Sequence, residues 1–194
     1  MKLHSKKTLW EGAYLRTVEI TYTDVSGINR TWEAVERKGC EGIIIVVPVT
    51  RDGHLLLIRQ YRPAINKHVI EFPAGLVDKG EDTEAACSRE LIEETGYMSS
   101  NIYLMFEGAM STGINSELWH AFLALDAEEA TEELKRTYPP DENEDITVIK
   151  VPLDSLEDFF LEQEGKGETV DLRIPGLLVL AKKHMKQKEH QWNF

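Results

Sequence analysis

The sequence predicts an α/β (α+β) protein in which a mixed β-sheet packs between helices, with a small N-terminal antiparallel β-extension. Residues 43–47 are a continuous run of isoleucine and valine, which is typical of a strand buried on both faces. Residues 82–95 lack glycine and proline and are rich in helix formers, so they predict a helix. Residues 14–22 and 30–35 are β-prone segments around a turn signal, which predicts an antiparallel hairpin.

Composition limits the class of protein. With 194 residues, the chain is expected to form one domain with a small appendage. A net charge of -12 predicts that nucleic acid is not a partner, because phosphate backbones require basic surfaces. We expect no membrane segment, since no apolar run approaches about 20 residues, and no apolar signal segment at the N-terminus. Cys40 and Cys87 are too few for a disulfide framework and predict reduced thiols in a cytoplasmic protein.

The remaining elements follow in chain order. Further strands are predicted at residues 42–49, 54–60, 69–72, 102–107, 118–124 and 146–151, and amphipathic helices at residues 153–164 and 175–187. Residues 126–145 are acid-rich and contain Pro139 and Pro140, so they predict an exposed, mobile connection. We expect an N-terminal hairpin at residues 1–38, a main domain at 39–187 and a frayed tail at 188–194. Because an isolated hairpin is marginal in water, it must pack on the main domain or on another subunit.

One motif carries most of the chemistry. Residues 75–97 match the pattern G-x5-E-x7-R-E-U-x-E-E-x-G-U, in which U is a bulky apolar residue and Tyr97 fills the last position. On a helix, Glu90, Glu93 and Glu94 share one face, and Arg89 can pair with Glu93, which leaves the other two carboxylates freer. Hard oxygen ligands of this kind suit Mg²⁺ or Mn²⁺ bound together with substrate phosphate. An arbitrary acidic helix face is usually only solvated, but the fixed flanking residues favour the metal site.

This motif resembles the Nudix box, the signature of hydrolases that act on nucleoside diphosphates linked to another moiety. Segments outside the box are similar to the ADP-ribose pyrophosphatase subgroup, which cleaves ADP-sugars to AMP and a sugar phosphate; these are Trp32-Glu33, residues 59–63, residues 71–76 and residues 142–145. The resemblance implies an α/β/α sandwich around a mixed sheet and a divalent metal cofactor, Mg²⁺ with Mn²⁺ as the alternative. It also implies a homodimer that exchanges the N-terminal region between subunits.

The resemblance further implies roles for individual positions. The expected metal-binding positions are Glu90, Glu94, Glu144 and the backbone carbonyl of Ala74. The expected catalytic residues are Glu142, as the general base, and Glu93, with Glu144 as the alternative base. The expected substrate-binding residues are Tyr14, Trp32, Glu33, Arg37, Arg62, Leu76, Ser111, Gly113 and Glu117.

One departure from the subgroup bears on the substrate. The subgroup usually carries Ser-Pro-Gly after the box, whereas this chain has Ser111-Thr112-Gly113. The expected substrate is ADP-ribose, and Thr112 keeps another nucleotide sugar such as GDP-mannose as the alternative. A non-catalytic ligand sensor is the distant alternative, which the intact set of box carboxylates disfavours.

Overall fold

The computed structural model describes residues 1–141 and 144–191. Twelve strands lie in this part of the chain: β1 (Lys2–Glu11), β2 (Leu15–Thr23), β3 (Asn29–Arg37), β4 (Cys40–Thr50), β5 (His54–Arg62), β6 (Lys67–Glu71), β7 (Ala74–Asp78), β8 (Tyr97–Met98), β9 (Asn101–Ala109), β10 (Leu118–Glu129), β11 (Ile146–Pro152) and β12 (Thr169–Val170). The helices are α1 (Thr83–Thr95), α2 (Glu132–Thr137), α3 (Leu156–Gly165), which follows a short 3-10 turn, and α4 (Arg173–Gln191). None of the described helices is long and apolar enough to cross a bilayer.

The main sheet is mixed, as the sequence predicts. Strand β4 lies at its centre, where it pairs in parallel with β10 and antiparallel with β7. Strand β10 continues the sheet through antiparallel pairing with β9. A hairpin joins β4 to β5, which pairs antiparallel with β11 and β6, and β6 carries β12 in parallel at the far edge. This arrangement brings the start of β7 against α1, where the N–H of Ala74 bonds Glu94.

Helices cover both faces of the sheet, and the alternation along β4 shows how. Ile44 and Val46 belong to a buried cluster that also holds Leu91 of α1. Ile45 and Val47 belong to a second cluster, which holds apolar side chains of α3 and α4 on the opposite face. Successive side chains of a strand point to opposite faces, so the apolar run of β4 supplies both clusters. The predicted α/β/α arrangement is confirmed.

Helix α1 begins and ends where its sequence predicts. The side chain of Asp82 accepts hydrogen bonds from the backbone N–H groups of Glu84 and Ala85, which caps the first turn. Gly96 adopts a left-handed conformation with a φ of 71°, and its N–H bonds the carbonyl of Ile92. The fixed ends of the helix set which of its residues face the cleft described below.

The N-terminal region differs from the predicted hairpin. It is a three-stranded antiparallel sheet, because β1 adds to β2 along residues 2–11. Every residue of β1 is exposed. Because neither face of this strand is buried, its sequence carries no alternation of apolar and polar residues from which the strand could be predicted. Its pairing with β2, and not burial, holds it in place.

Two other expectations are corrected. Residues 126–145 are not all an irregular connection: β10 runs on to Glu129, and α2 follows, capped by the side chain of Thr131. The boundary expected after residue 187 falls inside α4, which continues to Gln191 because residues 177–190 lack glycine and proline. Residues 192–194 of the predicted tail lie outside the described part of the chain.

Candidate active site

The loop that leads into α1 is organised around the side chain of Arg89. Its Nε donates to Glu81 Oε1 at 3.0 Å, and its Nη2 donates to Glu81 Oε2 at 3.0 Å and to the carbonyl of Leu76 at 2.9 Å. Its Nη1 donates to Glu90 Oε1 at 2.7 Å and to Glu93 Oε2 at 2.8 Å. A guanidinium has five N–H bonds, and these five contacts use them all. The predicted pairing of Arg89 with Glu93 is confirmed, but Glu90 is not left free, because Arg89 binds it as well.

Gly75 allows the carboxylate of Glu90 to lie against the backbone of β7. A Cβ atom built at position 75 would lie 1.9 Å from Glu90 Cδ and 2.0 Å from its Oε1. Burial raises the pKa of Glu90 to about 7, and the ion pair with Arg89 opposes that rise. The glycine of the motif therefore makes room for this carboxylate.

Glu94 lies deeper than Glu90, one helical turn along the same face of α1. Its side chain is 6% exposed, and its Oε2 accepts a hydrogen bond of 2.8 Å from the backbone N–H of Ala74. Burial raises the pKa of Glu94 to about 9; the bond from Ala74 opposes the rise, and the charges of Glu90 and Glu144 reinforce it. For both carboxyl groups, burial outweighs the hydrogen bonds and charges that favour the ionised form.

A cleft of about 650 Å³ opens over this face of α1. Its lining includes seven of the residues that the sequence predicts for the site: Arg37, Arg62, Ala74, Leu76, Glu90, Glu93 and Glu144. The acidic side chains come from α1 and from the segment before β11, whereas Arg62 comes from the end of β5. One wall of the cleft is therefore acidic and another carries arginine.

Other predicted residues lie elsewhere. Glu94 is not at the cleft surface but beneath it, bonded to Ala74. Six predicted substrate-binding residues do not line the cleft of this single chain: Tyr14, Trp32, Glu33, Ser111, Gly113 and Glu117. Glu142, the predicted general base, lies outside the described residues.

Three contacts join strand β3 to the loop that precedes β10. The indole N–H of Trp32 donates to the carbonyl of Gly113 at 3.1 Å, and the N–H of Val35 donates to the carbonyl of Ile114 at 2.8 Å. The Nε of Arg37 donates to Glu117 Oε1 at 3.0 Å. Arg37 also lines the cleft, so this pair connects the loop to the cleft wall. The N-terminal sheet and the loop after the motif therefore meet within one chain.

Arg173 and Trp119 line the cleft, although the sequence analysis names neither. Arg173 is the first residue of α4, and its Cζ lies 4.5 Å from the centroid of the Trp119 ring in β10. Its Nε donates to Asp171 Oδ2 at 2.7 Å. These residues are separated along the chain from the motif, and no local pattern marks them. The sequence signal that bears on Arg173 is an acidic residue two positions before it, Asp171, just before the predicted helix.

We next consider whether these residues suit the divalent cation that the resemblance implies. Among the described residues, no three His, Cys, Asp or Glu side chains are arranged as a ready metal cage. Mg²⁺ is commonly held by one or two carboxylates together with substrate phosphates and water, so a complete protein cage is not required. Glu90 and Glu94 supply such a pair one helical turn apart on α1, and burial raises the pKa of both carboxyl groups, a rise that a bound cation would oppose. The residues present fit a hard divalent cation.

Comparisons with known proteins agree with this geometry. A family model described as NUDIX domain matches residues 41–172. The chain belongs to the Nudix family. This Nudix hydrolase is 34% identical over 153 residues to an ADP-ribose pyrophosphatase of Bacillus subtilis (strain 168), with 79% of each chain covered. It is 32% identical over 161 residues to a GDP-mannose pyrophosphatase of Escherichia coli O9:H4 (strain HS), which covers 80% of this chain and 79% of the relative.

A solved structure confirms the fold. The crystal structure of an ADP compounds hydrolase superposes with a TM-score of 0.77, covering 97% of this chain and 96% of the other at 21% identity. The superposition spans the N-terminal sheet as well as the Nudix domain. The predicted fold and the predicted family are thus both confirmed.

Gly75→Ala tests the packing at the Nudix box. Because the new Cβ meets the movable end of the Glu90 side chain, we expect the protein to fold but the carboxylate to leave its place. Hydrolytic activity should fall at least about tenfold, a loss of about 1.4 kcal/mol of transition-state stabilisation, with little change in melting temperature. Gly165→Ala is the matched control, since no atom lies within 4 Å of a Cβ built there. Equal activity of both variants would contradict this account of Gly75.

Proposed function

We propose that this Nudix hydrolase cleaves the pyrophosphate linkage of a nucleoside diphosphate sugar, and that ADP-ribose, cleaved to AMP and ribose 5-phosphate, is its preferred substrate. The observation that carries the proposal is the division of the cleft into an acidic wall from α1 and a wall that holds Arg62 and Arg173. A diphosphate needs both: a cation held by carboxylates on one side and guanidinium donors on the other. The Bacillus subtilis relative, named an ADP-ribose pyrophosphatase, supports the same class of substrate.

Each role in the reaction is assigned to residues of this chain. Glu90 and Glu94, with the carbonyl of Ala74, would hold the divalent cation, and Glu144 is placed at the cleft to assist. When bound, the cation would neutralise the negative charge of the diphosphate, which otherwise repels an attacking hydroxide. Arg62 grips a phosphate through its planar fork. A carboxylate takes the proton from the attacking water, and we assign this role to Glu142, with Glu144 as the alternative; such proton transfer contributes about 10²–10⁴ in rate.

The alternative substrate is GDP-mannose or another hexose nucleotide. It is favoured by Thr112, which stands where the subgroup usually has proline, and by the similarity to a GDP-mannose pyrophosphatase. The two relatives are 34% and 32% identical to this chain, so overall identity does not separate the substrates. A hydroxyl and a freer φ at Thr112 change the loop that we propose contacts the sugar. Neither difference affects the reaction itself.

A panel of nucleotide sugars tests the proposed substrate. We expect purified protein with Mg²⁺ to hydrolyse ADP-ribose with a kcat/KM at least about tenfold above that for GDP-mannose and other nucleotide hexoses. That ratio corresponds to about 1.4 kcal/mol, which one hydrogen bond in the sugar loop can supply. A tenfold preference for GDP-mannose would establish the alternative instead. Absence of hydrolysis across the whole panel would favour the ligand sensor.

Glu94→Gln tests the metal site. Glutamine keeps an oxygen that can accept from the N–H of Ala74, so the fold should be retained, but it removes an anionic ligand. We expect kcat to fall by about two orders of magnitude at saturating Mg²⁺ or Mn²⁺, with an unchanged circular dichroism spectrum. Glu84→Gln is the control, because Glu84 lies exposed in the first turn of the same helix. Near-normal turnover of Glu94→Gln would remove Glu94 from the metal site.

We further propose a homodimer in which the N-terminal sheet of residues 1–38 contributes to the partner's site. The sheet leaves large apolar side chains exposed, Trp10 at 59% and Tyr14 at 81%, which favours cover by a second copy. Tyr14 does not line the cleft of its own chain, as expected if it serves the other subunit. We also propose a cytoplasmic location, because Cys40 and Cys87 are both free thiols.

Light scattering on the full chain tests the dimer. We expect twice the mass of one chain, and loss of both this mass and activity when residues 1–38 are removed, because interface and substrate contacts leave together. Trp10→Ser and Val25→Ser form a matched pair on this region, since both side chains are exposed but Val25 lies in the turn between β2 and β3. Only the change at Trp10 should weaken the dimer. A fully active monomer would refute the proposed assembly.

A further inference from the structure

Glu71, the last residue of β6, lies buried between two arginines of the cleft. It is 3% exposed. Its Oε1 accepts a hydrogen bond of 2.7 Å from Arg62 Nε, and its Oε2 lies 3.6 Å from Arg173 Nη2. Burial raises the pKa of Glu71, and the charges of both arginines oppose that rise. A buried carboxylate persists as an anion only when it is paired, and here two cations from distant elements pair with it.

The contacts of Arg62 leave its phosphate-binding atoms available. Within residues 1–141 and 144–191, the one hydrogen bond made by its side chain is the Nε contact with Glu71. The N–H bonds of its two Nη atoms, which form the outer edge of the guanidinium fork, are not used by this contact. Arg62 lines the cleft while its Nε is held from behind by a buried group. This is the geometry in which a fork is oriented in advance for an anion.

Arg173 is oriented in a similar way. Asp171 holds its Nε, Glu71 lies beside its Nη2, and the ring of Trp119 lies under its guanidinium plane. Arg173 also lines the cleft. Side by side, two guanidiniums repel each other, and the carboxylate of Glu71 between them offsets that repulsion. The relative position of the two arginines therefore depends on one buried side chain.

We propose that Glu71 is a positioning residue for the reaction: it fixes Arg62 and Arg173 as a clamp for the diphosphate of the substrate. The inference rests on the proposed function, since it assigns the clamp to the same cleft. Glu71 itself lies behind both arginines and does not contact substrate. Its loss should weaken binding of any diphosphate, whatever base or sugar is attached to it. It should leave the proton-transfer step largely intact, because neither Glu71 nor the two arginines are assigned to that step.

The test compares Glu71→Gln and Glu71→Asp with the control Glu168→Gln. Glu168 also pairs with an arginine, its Oε1 lying 2.9 Å from Arg59 Nη2, but neither residue lines the cleft. We measure KM and kcat for ADP-ribose hydrolysis, the Kd of ADP by calorimetry, and the melting temperature. Glu71→Gln should raise KM and the Kd of ADP at least about tenfold and change kcat less than about threefold. Glu71→Asp keeps the charge, but its side chain is one methylene shorter, so we expect KM and Kd values between those of the wild type and Glu71→Gln. Glu168→Gln should match the wild type in KM and Kd.

The possible outcomes separate this inference from the proposed function. If Glu71→Gln lowers only the melting temperature and leaves KM and Kd unchanged, Glu71 is structural and the inference is overturned. If Glu71→Gln does not fold, Glu71→Asp decides, and a wild-type KM in that variant overturns the inference. Wild-type protein that binds ADP but prefers another nucleotide sugar refutes the choice of ADP-ribose while the clamp stands. Failure of wild-type protein to bind ADP refutes the clamp.

Discussion

The bonding of Arg89 is the interaction on which the rest of the site depends. A single partly buried guanidinium holds the loop before α1 through Leu76 and Glu81, and the cleft-facing side of α1 through Glu90 and Glu93. With every N–H bond used, the group has no geometric freedom left, and its contacts raise its pKa above the usual range. Lysine could not replace it, because a single ammonium cannot reach four separated acceptors. The spacing of the Nudix box is therefore the spacing that lets one side chain join two elements.

The buried carboxylates of the two cleft walls differ in whether an arginine is bonded to them. On α1, Glu94 has no arginine bonded to it, and its nearest charged neighbours include other carboxylates. At the end of β6, Glu71 has two arginines and little exposed surface. On the first wall the one arginine, Arg89, is already bonded to Glu81, Glu90 and Glu93, and none is bonded to Glu94, which suits an added cation. The second wall presents guanidiniums held by Glu71, which suits an anion. A substrate that arrives with its own phosphates can satisfy both walls at once.

The sequence predicts well those parts whose stability is local or strongly patterned. The Nudix helix matches to within one residue because Asp82 and Gly96 are chemically suited to its ends, and the central strand is evident from its unbroken apolar run. Strand β1 could not be found this way, because it is exposed throughout and exists only by pairing with β2. Glu71 and Arg173 were missed for a related reason. Their roles depend on contact between the end of β6 and the start of α4, about 100 positions apart in the chain, and no local pattern encodes that contact.

The four arginines that line the described part of the cleft each have an acidic partner within the protein. Arg37 pairs with Glu117, Arg62 with Glu71 and Arg173 with Asp171, while Arg89 holds the box carboxylates. The chain as a whole carries a net charge of -12. At this net charge the protein as a whole repels an anion at long range, and its paired guanidiniums attract one chiefly at contact distance. For an anionic nucleotide of the proposed class, we therefore expect association to be slow at low ionic strength and to become faster with added salt, because salt screens the repulsion.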